Sequence, residues 1–334
     1  MNKFKMAGII GTGSCLPDRI MTNQEMEQIV DTNDEWIRSR TGICERRVSD
    51  ENTATSDLST TAALRALENA NLKPEDIDLI IVATVTPDMA FPSTACIVQK
   101  NIGAVNAAAF DLEAACTGFL YGLSIADNFI KTGFYKHILV IGAETLTKIA
   151  DFTDRNTCVI FGDGAGAAIV SEVEEDYGIL STYLGADGRG GHLLSQPAGG
   201  SRIPATLESV QNRLHYIKMD GSEVFKFAVK IMGEAAEKAL SKCGLNKEDI
   251  DYLIPHQANI RIIDAAVRRL KISSEKVYIN VHKYGNMSAA SVAIALDEAN
   301  RTGCLKDGDI AVLVAFGGGL TWGAAVLKWK NIGR

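Results

Sequence analysis

The seven cysteines of this chain show no pairing in sequence, since even the nearest two, Cys96 and Cys116, stand far apart. That spacing excludes Cys-x-x-Cys redox chemistry and the ligand spacing of a zinc site, so no metal is expected, and the odd count suits a reducing cytoplasm. Long apolar runs are missing as well. Nothing approaches the roughly 18 apolar residues of a membrane span. Residues 1–10 carry two lysines without the apolar core or cleavage site of an export signal, so an unexported protein with no membrane association is expected. Basic residues are outnumbered 34 to 41, and a net charge of −7 argues against general nucleic-acid binding while leaving room for a local basic patch facing an acidic partner. Phosphate-cradling glycine loops fail on context. Gly11, Thr12 and Gly13 are followed by Leu16 where a dinucleotide fingerprint needs its third glycine, and the glycine-rich run 161–166 leads into a strand rather than a helix.

What is present is a repeat. LKPEDIDLII at 72–81 returns as LNKEDIDYLI at 245–254, an offset of 173. The same offset carries residues 110–126 onto 283–299, each a small-residue turn leading into an amphipathic helix, and the apolar strand 138–141 onto 311–314. Gly-Ala-Ala-Ile at 166–169 matches Gly-Ala-Ala-Val at 323–326 at the smaller offset of 157, so the first half holds an insertion near 144–157. Strands and helices alternating within each copy predict two related α/β halves sharing one core, divided as 1–171 and 172–334. The apolar runs 79–84, 138–143 and 310–316 read as strands buried on both faces. Thr22 with Glu25 reads as a capping box opening a helix to Val30. Residues 55–70 and 222–243 read as amphipathic helices. The glycine-rich stretch 185–200 reads as a long loop.

Cys116 is the chemically suggestive residue. A strand over 107–111 and a helix over 117–132 place its thiol at a helix N-terminus, where unpaired N–H groups and the positive dipole end favour thiolate, the nucleophilic form. The repeat sets Ala289 opposite it, so only one half has a nucleophile. The second half offers His256, just after the strand 252–254, and Asn286. Both lie where a strand gives way to a helix, the place where α/β sheets present ligand-contacting residues.

These residues carry a resemblance. AACTGF around Cys116, HQAN from His256, the Gly285-Asn286 pair, DEWIRSRTGI over 34–43 and FGGGLTWG ending at Gly323 together resemble the beta-ketoacyl-acyl-carrier-protein synthase III family, the initiating condensing enzymes of bacterial fatty-acid synthesis. The resemblance implies an α/β thiolase-like fold, internally duplicated and five-layered (α-β-α-β-α), in a homodimer joined through a continuous sheet. It implies a multistep acyltransferase whose substrates are acyl-CoA and malonyl-acyl carrier protein, without a cofactor. Cys116, His256 and Asn286 are its implied catalytic residues, with the backbone N–H groups of Cys116 and Gly318 as an oxyanion hole. Trp36, Arg40, Thr41, Arg155 and Asn259 match coenzyme A contacts, with Arg155 closing on the adenine. Lys226, Arg261, Arg268 and Arg269 match carrier-protein docking positions, and Phe91 matches a residue that enters the partner's acyl pocket.

The pattern also discriminates. Thiolases place a second cysteine where this chain has Phe316, elongating ketoacyl synthases have a second histidine where it has Asn286, and plant-type polyketide synthases share the three residues in longer chains. One departure stands out, Met287 where the family usually has threonine, which bears on packing behind Asn286 and on primer choice. The alternatives are a starter enzyme of a specialised metabolite pathway and a non-catalytic carrier-protein-binding dimer.

Overall fold

Leu79–Ala83 is buried at every residue, as a run apolar on both faces requires of a strand covered from both sides. In the computed structural model, which describes residues 5–332, this strand lies within a five-stranded sheet. Its members are β1 (Met6–Cys15), β2 (Leu79–Ala83), β3 (Ala108–Leu112), β4 (His137–Thr145) and β5 (Asp163–Val173). The order across the sheet is β1-β5-β4-β2-β3, with β4, β2 and β3 parallel and β5 antiparallel to both its neighbours.

A second sheet of four strands repeats the plan with β6 (Gly178–Ala186), β7 (Tyr252–Pro255), β8 (Ile310–Gly317) and β9 (Thr321–Lys328). Its order β6-β9-β8-β7 keeps the same pattern, β8 and β7 parallel and β9 antiparallel to both neighbours. Where β3 would follow, there is a single parallel bridge from Leu253 to Val277. The division at 171/172 cuts β5 shortly before its end at Val173.

Among the described residues seven helices have eight residues or more: α1 (Asp34–Thr41), α2 (Thr55–Ala70), α3 (Thr94–Ile102), α4 (Gly118–Lys131), α5 (Gly221–Lys242), α6 (Ile260–Leu270) and α7 (Ala290–Arg301). Helices α4 and α7 form the middle layer. Leu120, Leu123 and Ile130 of α4 and Val292 and Leu296 of α7 share one core with Ile81 and Val140 of the first sheet and Leu313 and Ala325 of the second. α2 and α3 cover the outer face of the first sheet, and α5 and α6 that of the second, which completes the five layers. Close approach at the centre depends on Gly142 in β4, where a Cβ would stand 2.2 Å from the Ala289 carbonyl oxygen.

Local readings shift at their edges. The Thr22–Glu25 capping box forms in both directions, but its helix stops at Glu27, short of Val30. The stretch 185–200 begins inside β6, then makes a 3₁₀ segment, Gly188–Leu193, and a two-residue strand pairing with Lys218–Met219. The glycine-rich run 161–166 enters β5 itself from Asp163. Residues 1–10, searched for an export signal, are described only from Lys5 onward. No described helix is long and apolar enough to cross a membrane.

Candidate active site

Between β3 and α4 the chain makes one 3₁₀ turn, Ala115–Thr117, which holds Cys116. Ala115 takes a left-handed φ of 45°, unusual without glycine. The turn is pinned from both halves. Thr117 Oγ1 donates to the Ala114 carbonyl at 2.6 Å and to Thr321 Oγ1 at 2.9 Å, and Thr321 Oγ1 donates to Ala114 O at 3.1 Å. At the end of β8, a Cβ on Gly317 would lie 2.7 Å from Cys116 N, so glycine is what lets the two backbones meet. Gly318 follows, against Ala115.

The expected thiolate is not the resting form. Burial pushes the Cys116 thiol up to about 12, with the nearby Glu144 carboxylate adding to the shift and Ser288 opposing it. The sulfur is almost wholly enclosed, and lost hydration outweighs the helix dipole, whose effect is at most about 2 kcal/mol.

His256 directly follows β7, and its N–H donates to Val314 O of β8 at 2.7 Å. The following turn is locked by Gln257, whose Nε2 donates to Pro255 O and whose Oε1 accepts from the N–H groups of Asn280 and Val281. The imidazole is fully buried, edge-on to Phe316 at 5.7 Å, and neither ring nitrogen has a hydrogen-bond partner. Burial lowers its pKa to about 3, so at neutral pH it is an uncharged ring with one N–H to give.

Asn286 is held by its backbone to the segment before β5, its N–H donating to Ile160 O at 2.9 Å and its carbonyl accepting from Gly162 N at 3.0 Å. Its Oδ1 accepts the Ser288 N–H at 2.8 Å, which leaves the Nδ2 amide as the arm free for a ligand. Met287 points elsewhere. It is fully buried in a cluster with Tyr284, Ala290 and Ile294, so the departure from threonine fills core volume behind the turn.

Three distant stretches therefore converge on one spot. His256 and Phe316 meet beside Gly317, Gly317 abuts Cys116, and Ser288, bonded to Asn286, faces the Cys116 thiol. Two contributors escaped the reading of the sequence, Glu144 and Ser288. The repeat was the available signal, since its larger offset aligns Glu144 with Gly317 and Ser288 with Ala115.

The other candidate residues divide. The Arg155 guanidinium lies over the Trp36 ring at 5.1 Å and is anchored by the Asp31 carbonyl at 2.9 Å. A flat base needs roughly 7 Å between two stacked planes, so this pair must part to admit an adenine. Arg40 is exposed, and its carbonyl accepts from Asn259 Nδ2 at 2.9 Å. Asn259 Oδ1 caps α6 through the Arg261 N–H, so both arms of that carboxamide are engaged. Thr41 is buried with its hydroxyl engaged by Ile37 O and the Ile43 N–H. Lys226 and Arg261 are both at the surface, Arg261 over Phe225 at 5.3 Å and Lys226 paired with Glu223. Arg268 is exposed on α6, whereas Arg269 lies against α5 between Glu234 and Glu237. Phe91 is 84% exposed.

Known proteins share this arrangement of chain. The family described as 3-oxoacyl-(acyl-carrier-protein (ACP)) synthase III matches residues 110–188, and that of its C-terminal part matches 240–329. The chain is similar to a beta-ketoacyl-(acyl-carrier-protein) synthase III of Caldanaerobacter subterraneus subsp. tengcongensis, 66% identical, covering 97% of this chain and 98% of the relative. One from Desulfitobacterium hafniense is 61% identical with 98% of each chain covered. Among solved structures, 3-oxoacyl-(acyl-carrier-protein) synthase III from Aquifex aeolicus VF5 superposes with a TM-score of 0.90 at 49% identity, covering 97% of this chain and all of that one.

Proposed function

Because the chain belongs to the beta-ketoacyl-(acyl-carrier-protein) synthase III family, we propose that Cys116 takes the acyl group from a short acyl-CoA and passes it to malonyl-acyl carrier protein. The protein is an initiating condensing enzyme of fatty-acid synthesis. In the first half-reaction the sulfur attacks the acyl thioester and coenzyme A leaves. In the second, malonyl-carrier protein loses CO2 and its enolate carbon attacks the Cys116 thioester, giving 3-oxoacyl-carrier protein. His256 Nε2 and Asn286 Nδ2 donate to the enolate oxygen as charge develops there, and the N–H groups of Cys116 and Gly318 hold the oxyanion of the second attack. The chemistry drawn uses only these groups and the two substrates, with no cofactor.

One observation carries this reading. A fully buried imidazole with both nitrogens unpartnered is costly unless a ligand completes it, and it stands beside a free carboxamide arm and an enclosed thiol. An uncharged His256 suits the role, since a neutral donor stabilises a nascent enolate without quenching it by proton transfer.

Around this centre, coenzyme A enters past Trp36, Arg40 and Arg155, with Arg155 lifting from Trp36 to stack on the adenine. Lys226, Arg261 and Arg268 form the rim that meets the acidic carrier protein. A homodimer is supported by the free edge of β3 together with the exposed Met89, Phe91, Val105 and Phe110. The seven free thiols suit a reducing cytoplasm.

Intact-protein mass spectrometry tests the reading. Acetyl-CoA is expected to add one acyl group to the wild type and none to Cys116→Ser. His256→Ala is expected to load normally and fail to condense. Full condensation by either variant would overturn the assigned roles.

A further inference from the structure

Arg46 heads the largest fully buried side chains, and its guanidinium has no part in the mechanism above. It sits in the ribbon where Glu45–Arg47 pairs with Ile20–Thr22, opposite Met21. Nη1 donates to Met21 O at 3.1 Å, and Nη2 donates to Asn23 Oδ1 and to Val159 O, each at 2.9 Å, while Nε has no partner. Among the described residues no carboxylate pairs with it. Burial lowers its pKa to about 10, so it is still a cation at neutral pH.

A buried cation held by neutral groups alone is costly, and an apolar side chain of similar volume would remove the cost. The contact with Val159 shows what the charge holds. Val159 closes the short helix Arg155–Cys158 and begins the segment that leads into β5. The next residues of that segment grip Asn286 on both sides of its backbone. The Asn286 N–H donates to Ile160 O at 2.9 Å, and the Gly162 N–H donates to Asn286 O at 3.0 Å. The Arg46 stem packs into the same joint. A Cβ placed on Gly162 would lie 3.3 Å from the Arg46 Cβ and 2.3 Å from Tyr284 O, and one on Gly285 would lie 3.3 Å from the Arg46 Cβ and 2.7 Å from Ile160 O. Two glycines thus leave room for the arginine and for the backbones that cross there.

The consequence for Asn286 is directional. Its two backbone hydrogen bonds fix the axis from Cα to Cβ, and the Ser288 N–H fixes Oδ1, so the direction of Nδ2 follows from where 159–162 lies. The other side of the guanidinium is braced. Asn23 Nδ2 donates to Asp34 Oδ1 at 2.8 Å and to Ile43 O at 2.9 Å, which ties Arg46 to the start of α1 and the turn after it. A planar fork of N–H groups reaches all three of its acceptors at once, which an ammonium on a single stem cannot match.

We propose that Arg46 is a positioning residue for condensation, which holds the Val159 carbonyl and so sets the direction in which Asn286 presents its amide. The inference rests on Asn286 Nδ2 being a donor to the enolate. Arg46 touches no substrate and acts through 159–162, so it serves the second half-reaction and not the attack by Cys116.

The test is a double-mutant cycle read in single turnover, with enzyme loaded in advance by saturating acetyl-CoA and then mixed with saturating malonyl-carrier protein. Arg46→Lys and Arg46→Met are expected to load acetyl groups within about twofold of the wild-type rate and to condense about tenfold to hundredfold more slowly. In an Asn286→Ala background the Arg46 substitutions should slow condensation by less than about twofold more, because the amide they misplace is gone, whereas in a His256→Ala background the further loss should be about fivefold or more. A role in general packing gives another pattern. Equal losses in both backgrounds, or loading that falls as far as condensation, overturn the proposal. Wild-type condensation by Arg46→Lys overturns it as well, since a charge without the fork would then suffice. Should Arg46→Met fail to fold, Arg46→Lys, which keeps stem and charge, decides alone by the same criteria. The Asn286→Ala parent separates the two levels. Wild-type condensation by that parent removes the donor assignment itself, whereas a slow parent whose loss multiplies in full with that of Arg46→Lys removes only the positioning.

Discussion

The turns at the heads of α4 and α7 are one backbone put to two uses. Ala115 and Ser288, matched by the repeat, both sit in the left-handed region at φ of 45° and 43°, and each directly precedes the residue that leads into a middle-layer helix, Cys116 or Ala289. A non-glycine residue there costs about 1–2 kcal/mol, and duplication has kept that cost in both copies. The strand ends facing the turns are also matched. Gly317 of β8 closes on Cys116, and Glu144 of β4, at the same offset, lies beside Ser288. The first turn keeps the nucleophile and a bare strand end, while the second replaces the nucleophile with alanine and gathers the polar groups Asn286, Ser288 and Glu144. Conserved backbone with reassigned side chains allows one scaffold to attack with one half and stabilise charge with the other.

The largest break in that division comes from making the first turn like the second. Cys116→Ala is expected to lower condensation by roughly 10³-fold or more, with no acyl mass gained from acyl-CoA and little change in Tm. Smaller losses are expected on the second half. His256→Ala and Asn286→Ala should each load acyl groups normally yet lower the condensation rate by about 10²- to 10³-fold. Their double variant should lose less than the product of the two, because both donors serve one oxygen, and a fully multiplicative loss measured in single-turnover assays would assign them to different steps.

Much of this was legible in the sequence, and the reason is periodicity. Strands buried on both faces read as unbroken apolar runs, so Leu79–Ala83 and the core of Ile310–Gly317 stood out, and the repeated EDID segment fixed the correspondence between the sheets. Cys116, His256 and Asn286 announced themselves by sitting at strand-to-helix junctions. The charge state of Cys116 did not, because desolvation depends on what packs over the thiol from β8 and the second turn, both in the other half of the chain. The contacts that Thr41 and Arg269 make within the chain were hidden for a related reason. A hydroxyl spent on its own helix end and a guanidinium drawn between Glu234 and Glu237 look in sequence like any surface polar residue. Glu144 lay hidden because the apolar run stops at Ala143, whereas the strand itself runs on to Thr145.

The strand ends give the next contrast. Gly317→Ala would drive a methyl to 2.7 Å from Cys116 N, between two backbones that have little room to move. A loss of about 1–3 kcal/mol of stability is expected, seen as a lower Tm, together with slower acyl loading as the turn shifts. Glu144 at the matching position carries a full side chain, held by Thr84, Val85 and Thr86. If Gly317→Ala leaves both Tm and loading unchanged, the close approach of β8 to the nucleophile is not what shapes that turn.

The smallest effect concerns charge on the helices that follow β2 and β7. In the first half α3 carries only Lys100, whereas α6 carries Arg261, Arg268 and Arg269. The α6 arginines are not equivalent. Arg268 has no ion-pair partner among the described residues, while Arg269 is already drawn to two glutamates of α5. An uncompensated exposed cation attracts an acidic partner at long range, and salt screens that attraction within about 10 Å at 0.1 M. Arg268→Ala is therefore expected to raise the KM for malonyl-carrier protein by about threefold to tenfold at low salt, the difference fading as salt is added. Arg269→Ala should leave that KM unchanged and lower Tm slightly, since half-exposed pairs contribute about 0–1 kcal/mol each. A larger KM effect from Arg269 than from Arg268 would mean that the carrier protein draws Arg269 away from α5, and the docking face would then extend across the groove between the two helices.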